Sequence, residues 1–333
     1  MRAHAPGRVN LIGDHTDYTG GLVLPIAIDL GTTVVFEPLE GSVRLHSGTF
    51  GSTATVPLDV GDPRAVDPPW GRYVAGVVQV LAPATGIDGT IASTLPVGSG
   101  LSSSAALEVA VALALGFDGT PLQLAQACRR AEHLAVGVPS GLMDQLASAA
   151  GVEGHALLVD CRTFEVTPIP LPDSCAVWVV DSGQERALAQ SEYAVRHDEC
   201  VAAARVIGPL RDADLTDVER MDDPVLRRRA RHVVTENRRV VDTAAALAAD
   251  DLTAAGAAMT ASHASLRDDF DVSTAALDDL VSSLNATPGV YGARLTGAGF
   301  GGSVVALTEG GVALAAGRRV RASAGCSVTA TPE

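Results

Sequence analysis

A strand, a turn of glycines and serines, and a helix follow one another without interruption between Gly86 and Leu115, and this succession limits the fold more than any other feature of the chain. Gly86–Leu95 has the composition of a strand, and Ala105–Leu115 repeats apolar residues at helical spacing. Between them runs Leu95-Pro-Val-Gly-Ser-Gly-Leu-Ser-Ser-Ser-Ala-Ala106. Small residues let a backbone come close to a ligand, the first helical turn leaves N–H donors unpaired, and the helix dipole adds partial positive charge. Such a turn can hold phosphate without a lysine. Ser102, Ser103 and Ser104 add hydroxyl donors, and one hydroxyl can ligate Mg2+. Taken alone, a serine-capped helix after a turn explains the segment equally well.

Any phosphate chemistry here has to be lysine-free, because all 24 basic residues are arginine. That excludes the Walker phosphate loop, the strand lysine of protein kinases, Schiff-base aldolases and pyridoxal-phosphate enzymes. The 39 acidic residues bring the net charge to −15, and aromatics are only 4% of the chain, so a nucleic-acid partner finds neither an electrostatic footprint nor a stacking platform. Cys128, Cys161, Cys175, Cys200 and Cys326 form no CxxC pair and read as inert thiols. No window approaches the ~18 apolar residues of a membrane span. A signal peptide is not expected, since a polar motif starts at the fifth residue. The reading is a cytoplasmic protein, a monomer with self-association as the alternative, acting on small molecules, with no membrane or nucleic-acid partner.

Strands are expected at Gly21–Ile28, Thr32–Glu37, Val43–His46, Ala156–Asp160 and Ala176–Asp181, with helices at Trp70–Leu81, Pro121–Ala135 and Met143–Ala150. The proline-rich Pro168–Pro172 suggests a domain boundary, dividing the chain into 1–172 and 173–333. Long helices are expected at Ser191–Val206, Pro224–Ala249 and Leu252–Asp269, then strands at Val290–Leu295 and Ser303–Leu307. Helices followed by strands indicate an α+β class. The run Arg227, Arg228, Arg229 and Arg231 reads as a solvated helix face.

Two further motifs carry chemistry. Ala5-Pro-Gly-Arg-Val-Asn-Leu-Ile-Gly-Asp-His-Thr-Asp-Tyr-Thr-Gly-Gly21 packs Arg8, Asp14, His15, Asp17 and Tyr18 together, a mixture suited to a carbohydrate site, where each hydroxyl needs a placed donor or acceptor. Gly289-Val-Tyr-Gly-Ala-Arg-Leu-Thr-Gly-Ala-Gly-Phe-Gly-Gly-Ser303 is costly in conformational entropy unless the backbone must approach something closely, although structural turns would also account for it.

The three motifs, in this order and spacing, resemble the GHMP family of small-molecule kinases, and within it the galactokinases. Arg8-Val-Asn-Leu-Ile-Gly-Asp-His-Thr-Asp-Tyr18 is similar to the sugar signature and Gly100-Leu-Ser-Ser-Ser-Ala-Ala106 to the phosphate-binding loop. Gly141-Leu-Met-Asp-Gln145, Ser191-Glu-Tyr193, Arg229-Ala-Arg-His-Val-Val-Thr-Glu236 and Ser262-His-Ala-Ser-Leu-Arg-Asp-Asp-Phe270 extend the resemblance over nearly the whole chain. It implies a two-domain GHMP kinase fold, α+β, of mixed sheets with helices and an active site in the interdomain cleft. It implies ATP and Mg2+ as cofactors and phosphorylation of the C1 hydroxyl of galactose. By the same resemblance Asp144 is the catalytic base, with Arg8 facing it and the transferred phosphoryl. Asp14, His15, Asp17, Gly141 and Tyr193 contact the sugar. Gly98, Ser99, Gly100, Leu101, Ser102, Ser103 and Ser104 bind the phosphates of ATP, with Trp70 and Tyr73 near the adenine. Ser104 and Glu132 ligate the metal. His133, His197, His232 and His263 are structural. Position 14 is Asp where these kinases usually have Glu, a retraction of one methylene near the sugar C6 hydroxyl that bears on which hexose is preferred. A kinase for a related hexose, amino sugar or uronic acid is the alternative, and a catalytically silent sugar and ATP sensor is the alternative from another class.

Overall fold

The computed structural model describes residues 1–137, 140–184 and 189–330; the side chains of residues 189–191, Ser191 among them, and residues 331–333 lie outside what is described. The chain opens with β1 (Arg2–Asn10), β2 (Leu22–Val23), the long β3 (Pro25–Leu39) and the hairpin β4 (Ser42–Ser47) and β5 (Ser52–Pro57). Then come α1 (Gly71–Leu81), β6 (Gly86–Ser93), α2 (Ser103–Ala114), α3 (Pro121–Val136), α4 (Met143–Ala150), β7 (His155–Asp160) and β8 (Val166–Pro170). The rest comprises β9 (Cys175–Asp181), α5 (Ala189–Ile207), α6 (Leu215–Glu219), α7 (Pro224–Ala248), α8 (Leu252–Asp268), α9 (Ala275–Asn285), β10 (Val290–Thr296), β11 (Ser303–Glu309), β12 (Arg318–Val320) and β13 (Ser327–Thr329). Strands and helices segregate into mixed layers, an α+β arrangement.

Six strands form one sheet in the order β13-β1-β3-β6-β4-β5, antiparallel except for β4 beside β6. Four more, β10-β11-β9-β12, form a second, wholly antiparallel sheet, and β2-β7-β8 a third. The last strand thus returns to pair with the first, Ala3 opposite Val328. Helices α1, α2 and α3 cover the first sheet through a core that includes Val34, Leu45, Val74, Val109 and Leu124. Helices α7, α8 and α9 cover the second through two cores, one holding Val240, Met259 and Val305, the other Val233, Leu266, Phe270 and Leu295.

Local chemistry explains the helix ends. Thr120 and Gln123 make a reciprocal capping box at the start of α3, Pro121 takes the first helical position, and Gly137 closes the helix at φ 73°. Asp223 caps α7 by accepting from the Val225 and Leu226 N–H groups, ahead of Pro224. No helix among the described residues is long and apolar enough to cross a membrane.

Several expectations need correction. Gly21–Ile28 and Thr32–Glu37 do not divide as expected: Leu22–Val23 form β2, and Pro25–Ile28 and Thr32–Glu37 both belong to β3, which pairs with β1 across a register shift at Pro6/Arg8 and with β6 from Thr32 onward. β1 went unrecognised, being assembled from alanines, a proline, a glycine and polar residues. It is a strand because neighbours on both sides satisfy its backbone. The prolines read as a separator partly belong to β8, which pairs only with β7; at a sheet edge the missing N–H of Pro168 and Pro170 costs no ladder bond. Trp70 caps α1 rather than starting it, and α2 begins at Ser103, two residues early. The arginine run is no solvated face: Arg229 is 2% exposed, donating to Glu199 Oε2 at 2.7 Å and to the Asp269 carbonyl at 2.6 Å.

Candidate active site

The phosphate-type turn is built by three residues at positive φ: Gly98 at 76°, Gly100 at 78° and Ser102 at 59°. The two glycines adopt this freely, but Ser102 does so under strain, a cost seen where a side chain must be aimed. Its hydroxyl donates to Asp144 Oδ2 at 2.5 Å. Ser103 and Ser104 form the first turn of α2, beside N–H groups that have no intrahelical acceptor. Ser99 and Leu101 turn inward instead. Ser99 donates to the Pro96 carbonyl at 2.8 Å and accepts from Ser303 Oγ at 2.7 Å, while the Leu101 carbonyl accepts the Arg8 N–H at 3.2 Å. They frame the turn.

Asp144 sits in the first turn of α4, where the helix dipole favours a carboxylate. Arg8, from β1, grips it at two points: Nε to Oδ1 at 2.8 Å and Nη2 to Oδ2 at 2.9 Å. The remaining Nη1 donates to the Gly100 carbonyl at 2.8 Å, so one guanidinium joins the carboxylate to the phosphate-type turn. Arg8 is 5% exposed, which strengthens the pair relative to one in water.

A wall of short polar groups faces this centre. Asp17 opens a single 3-10 turn, Asp17–Thr19, anchored by Thr16, whose hydroxyl donates to the Gly13 and Leu22 carbonyls at 2.8 and 2.6 Å. Burial first, and then the negative charge of Asp144, push the Asp17 carboxyl up to about 7. His15 lies at φ 64°, its Nδ1 3.0 Å from the Tyr18 hydroxyl and its Nε2 3.2 Å from the Ala298 carbonyl. A carbonyl can only accept, so Nε2 carries the proton and Nδ1 accepts from Tyr18. Burial, reinforced by His232, pushes the imidazole down to about 3, keeping it neutral. Tyr193 of α5 completes the wall, 5.5 Å from His15 between ring centres. Asp14 has Oδ2 2.6 Å from Arg294 Nη2, and its Oδ1 accepts the Gly297 N–H at 3.1 Å.

The third group is acidic. Glu132 of α3 accepts from Ser104 Oγ at 3.3 Å, Ser140 Oγ at 2.8 Å and Gln145 Nε2 at 3.0 Å. Gln145 also donates to Glu108 at 3.2 Å. Burial pushes Glu132 up, and pushes Glu108 well above the usual carboxylate range with help from the charge of Glu132. Among the described residues no group of three His, Cys, Asp or Glu side chains forms a metal cage. A hydroxyl and a carboxylate side by side nonetheless suit Mg2+, a hard cation that takes one or two protein oxygens and completes its shell with water and phosphate. Glu132 and Glu108 have only neutral hydrogen-bond partners among the described residues, which fits such an ion.

All of these groups meet in one cavity of about 750 Å3, lined by Arg8, Asp14, His15, Asp17, Gly98, Gly100, Ser102, Ser103, Ser104, Glu132, Gly141, Asp144 and Tyr193. Of the residues expected from the sequence, Ser99, Leu101 and Trp70 are not in its lining. Trp70, 8% exposed, donates its indole N–H to Ser52 Oγ at 3.0 Å and lines a second cavity of about 710 Å3 with Phe50, Pro69 and Arg72. Tyr73 and Val136 line both. The sequence reading assigned no role to Ser140, Gln145, Gly297, Ala298 or Arg294. The glycines of the third motif signalled the loop, and a charged residue in the middle of an otherwise apolar β10 was the available sign of Arg294.

Three family models match the chain: the galactokinase galactose-binding signature over residues 1–38, the GHMP kinases N terminal domain over 72–152 and the GHMP kinases C terminal over 243–325. Galactokinase of Homo sapiens is 45% identical, the match covering 99% of this chain and 89% of that protein. Galactokinase of Chloroflexus aggregans is 45% identical over 92% of this chain and 83% of its own. Lactococcus lactis galactokinase, solved in complex with galactose, superposes with a TM-score of 0.90 at 30% identity, covering 98% of this chain and 94% of that one. Mevalonate kinase of Methanococcus jannaschii shares the fold, with a TM-score of 0.69 at 20% identity, covering 93% and 90% of the two chains.

Proposed function

The chain belongs to the galactokinases of the GHMP kinase family, and from that premise we propose that its cavity joins ATP to galactose through Asp144, Arg8 and the serine turn. The enzyme phosphorylates galactose, with ATP as co-substrate. One observation carries the assignment of the site: a helix N-terminus suited to phosphate, an Arg8-bound carboxylate and a wall of hydroxyl-binding side chains all face a single cavity.

Phosphoryl transfer asks a protein for alignment and charge neutralisation more than for covalent help. Asp17, His15, Tyr193 and Asp14 orient the sugar. Asp144 accepts the proton of the C1 hydroxyl as its oxygen bonds to the terminal phosphorus, and ADP departs with the bridging oxygen. Arg8 offsets the negative charge that spreads over the transferred group, and its bond to the Gly100 carbonyl keeps it beside the phosphates. The N–H groups and hydroxyls of Ser103 and Ser104 hold the triphosphate, while Tyr73 and Trp70 border the space for adenine. Ser104 and Glu132 would hold Mg2+, which supplies further neutralisation of phosphate charge when bound with ATP. We place the division between the two halves at residue 172, in the loop between β8 and β9.

The test compares wild type with Asp144→Asn for galactose 1-phosphate formation, alongside galactose binding by calorimetry. The amide should cut kcat by roughly 10²- to 10⁴-fold with binding largely kept. Full turnover by the amide would remove Asp144 from its role as base. A panel of hexoses, amino sugars and uronic acids assayed beside galactose defines how narrowly the pocket selects.

A further inference from the structure

Asp14 is held by more contacts than a residue on a cavity wall needs. It lies between Gly13 at φ 99° and His15 at φ 64°, so its backbone is bracketed by two conformations that side-chain-bearing residues seldom adopt. A Cβ on Gly13 would run into the Leu22 carbonyl at 2.7 Å and Val23 Cα at 2.8 Å. His232 Nε2 donates to the Asp14 carbonyl at 3.1 Å, and the Gly13 N–H donates to Glu236 Oε1 at 3.0 Å. Glu236 is itself fixed by Ser262 Oγ at 2.5 Å and Arg239 Nε at 2.7 Å. The carboxylate is then taken by the Gly297 N–H and by Arg294. Three separate parts of the second half therefore converge here: α7 holds the backbone of Gly13 and Asp14, while β10 and the glycine turn after it hold the Asp14 side chain.

Arg294 is the unexpected member. It is fully buried at 0% exposure and does not line the cavity. Its other contacts are the carbonyls of Asn10 and Leu11, at 3.4 and 3.2 Å, in the strand that leads into the Asp14 segment. A guanidinium buried this deeply costs more than an apolar side chain of the same volume, and a charge retained at such a cost is best explained by a geometry that only it can impose. One guanidinium nitrogen, Nη2, makes the ion pair with Oδ2 while Nη1 holds the Asn10 and Leu11 carbonyls, and with a backbone N–H on Oδ1 each carboxylate oxygen keeps an acceptor direction for a ligand.

We propose that Arg294 is a positioning residue for sugar selectivity: from beneath the cavity it aims the Asp14 carboxylate at one hydroxyl of galactose, so that sugars lacking that hydroxyl are rejected. The inference rests on reading Asp14 as a sugar contact. A site built around a paired hydroxyl discriminates strongly, because the empty partner is left desolvated when the hydroxyl is missing.

The experiment uses the full-length enzyme as wild type, Arg294→Met, Arg294→Lys, Asp14→Asn and the Asp14→Asn/Arg294→Met double variant. Each is assayed with galactose and with the four singly deoxygenated galactoses, with the KM for ATP and a melting curve recorded beside. Arg294→Met should raise the galactose KM at least about tenfold, the size of one charged hydrogen bond, and leave kcat and the ATP KM within about twofold. Its preference for galactose should shrink toward a single deoxy sugar, the same one toward which Asp14→Asn loses preference, and the double variant should lose no more than Asp14→Asn alone. Arg294→Lys keeps the charge without the second nitrogen that holds the Asn10 and Leu11 carbonyls and should recover part of the loss. A folded Arg294→Met with unchanged galactose KM and unchanged preferences overturns the positioning role, as does an equal loss on every sugar. Failure of both Arg294 variants to fold also overturns it, assigning the residue to stability. Wild-type preferences in Asp14→Asn defeat instead the reading of Asp14, a result visible without either arginine variant.

Discussion

Gly141 lies so close to the Asp17 carboxylate that a Cβ at position 141 would overlap its Oδ2 and carboxyl carbon. The chain ahead of α4 and the turn at the end of the sugar signature are thus in direct backbone-to-side-chain contact, and residues 124 apart in sequence share one wall of the cavity. Alanine at 141 has nowhere to go except by moving Asp17. We expect Gly141→Ala to raise the galactose KM at least about tenfold while the ATP KM changes little, as steady-state kinetics with each substrate varied in turn will show.

Asp17 makes the enzyme pH-sensitive in a defined direction. Burial and the nearby Asp144 charge raise its carboxyl to about 7, so across pH 6 to 8 it passes from mostly neutral to mostly ionised. The ionised form is the better acceptor for a sugar hydroxyl, and the galactose KM should fall as pH rises through this window. Stability runs the opposite way. An acid whose folded pKa exceeds its unfolded value binds more protons when folded, so its contribution is favourable at low pH and is lost between about 4 and 7. Asp17→Asn should flatten both the KM profile and that part of the melting-temperature profile.

The pairing of Ser104 with Glu132 makes a prediction about metal. If both oxygens serve Mg2+, Ser104→Ala and Glu132→Gln should each raise the Mg2+ concentration needed for half-maximal rate by roughly 10- to 100-fold. Galactose binding measured without nucleotide should stay as in wild type. Titration of activity with MgCl2 at fixed ATP separates this from a general loss of fold, which would depress the rate at every Mg2+ concentration.

Much of this arrangement is legible in the residues themselves, for a physical reason. The turn from Gly98 to Ser104 needs glycines where φ is positive and hydroxyls at a helix start, and few other residue types would serve, so composition at that point reports function. The same holds for Asp144 in the first turn of α4. What stays hidden depends on partners far away in sequence. β1 reads poorly as a strand because its backbone is satisfied by β3 and β13, whose last residue, Thr329, is 327 positions from Arg2. Arg294 could be noticed as a charge in an apolar strand, but its counter-ion Asp14 lies 280 residues earlier. Trp70, singled out for its size, is held by Ser52 beside the second cavity, a placement that helical spacing does not encode.

Gly7 marks where the opening strand presses on the phosphate-type turn. A Cβ there would meet the Leu101 carbonyl oxygen at 2.5 Å and Leu95 Cδ2 at 2.5 Å. The leucine side chain can shift, but the carbonyl belongs to the turn and accepts the Arg8 N–H at 3.2 Å, so Gly7→Ala must push strand and turn apart. Overpacking of this kind costs about 1–3 kcal/mol and should lower the melting temperature accordingly. The displaced segment carries Gly100, Ser102 and the α2 N-terminus, the cavity lining proposed for the nucleotide, whereas Asp17, His15 and Tyr193 are attached elsewhere. The ATP KM should therefore rise several-fold more than the galactose KM. An equal rise in both constants would mean that strand and turn move as one body, and that the close approach at Gly7 serves packing alone.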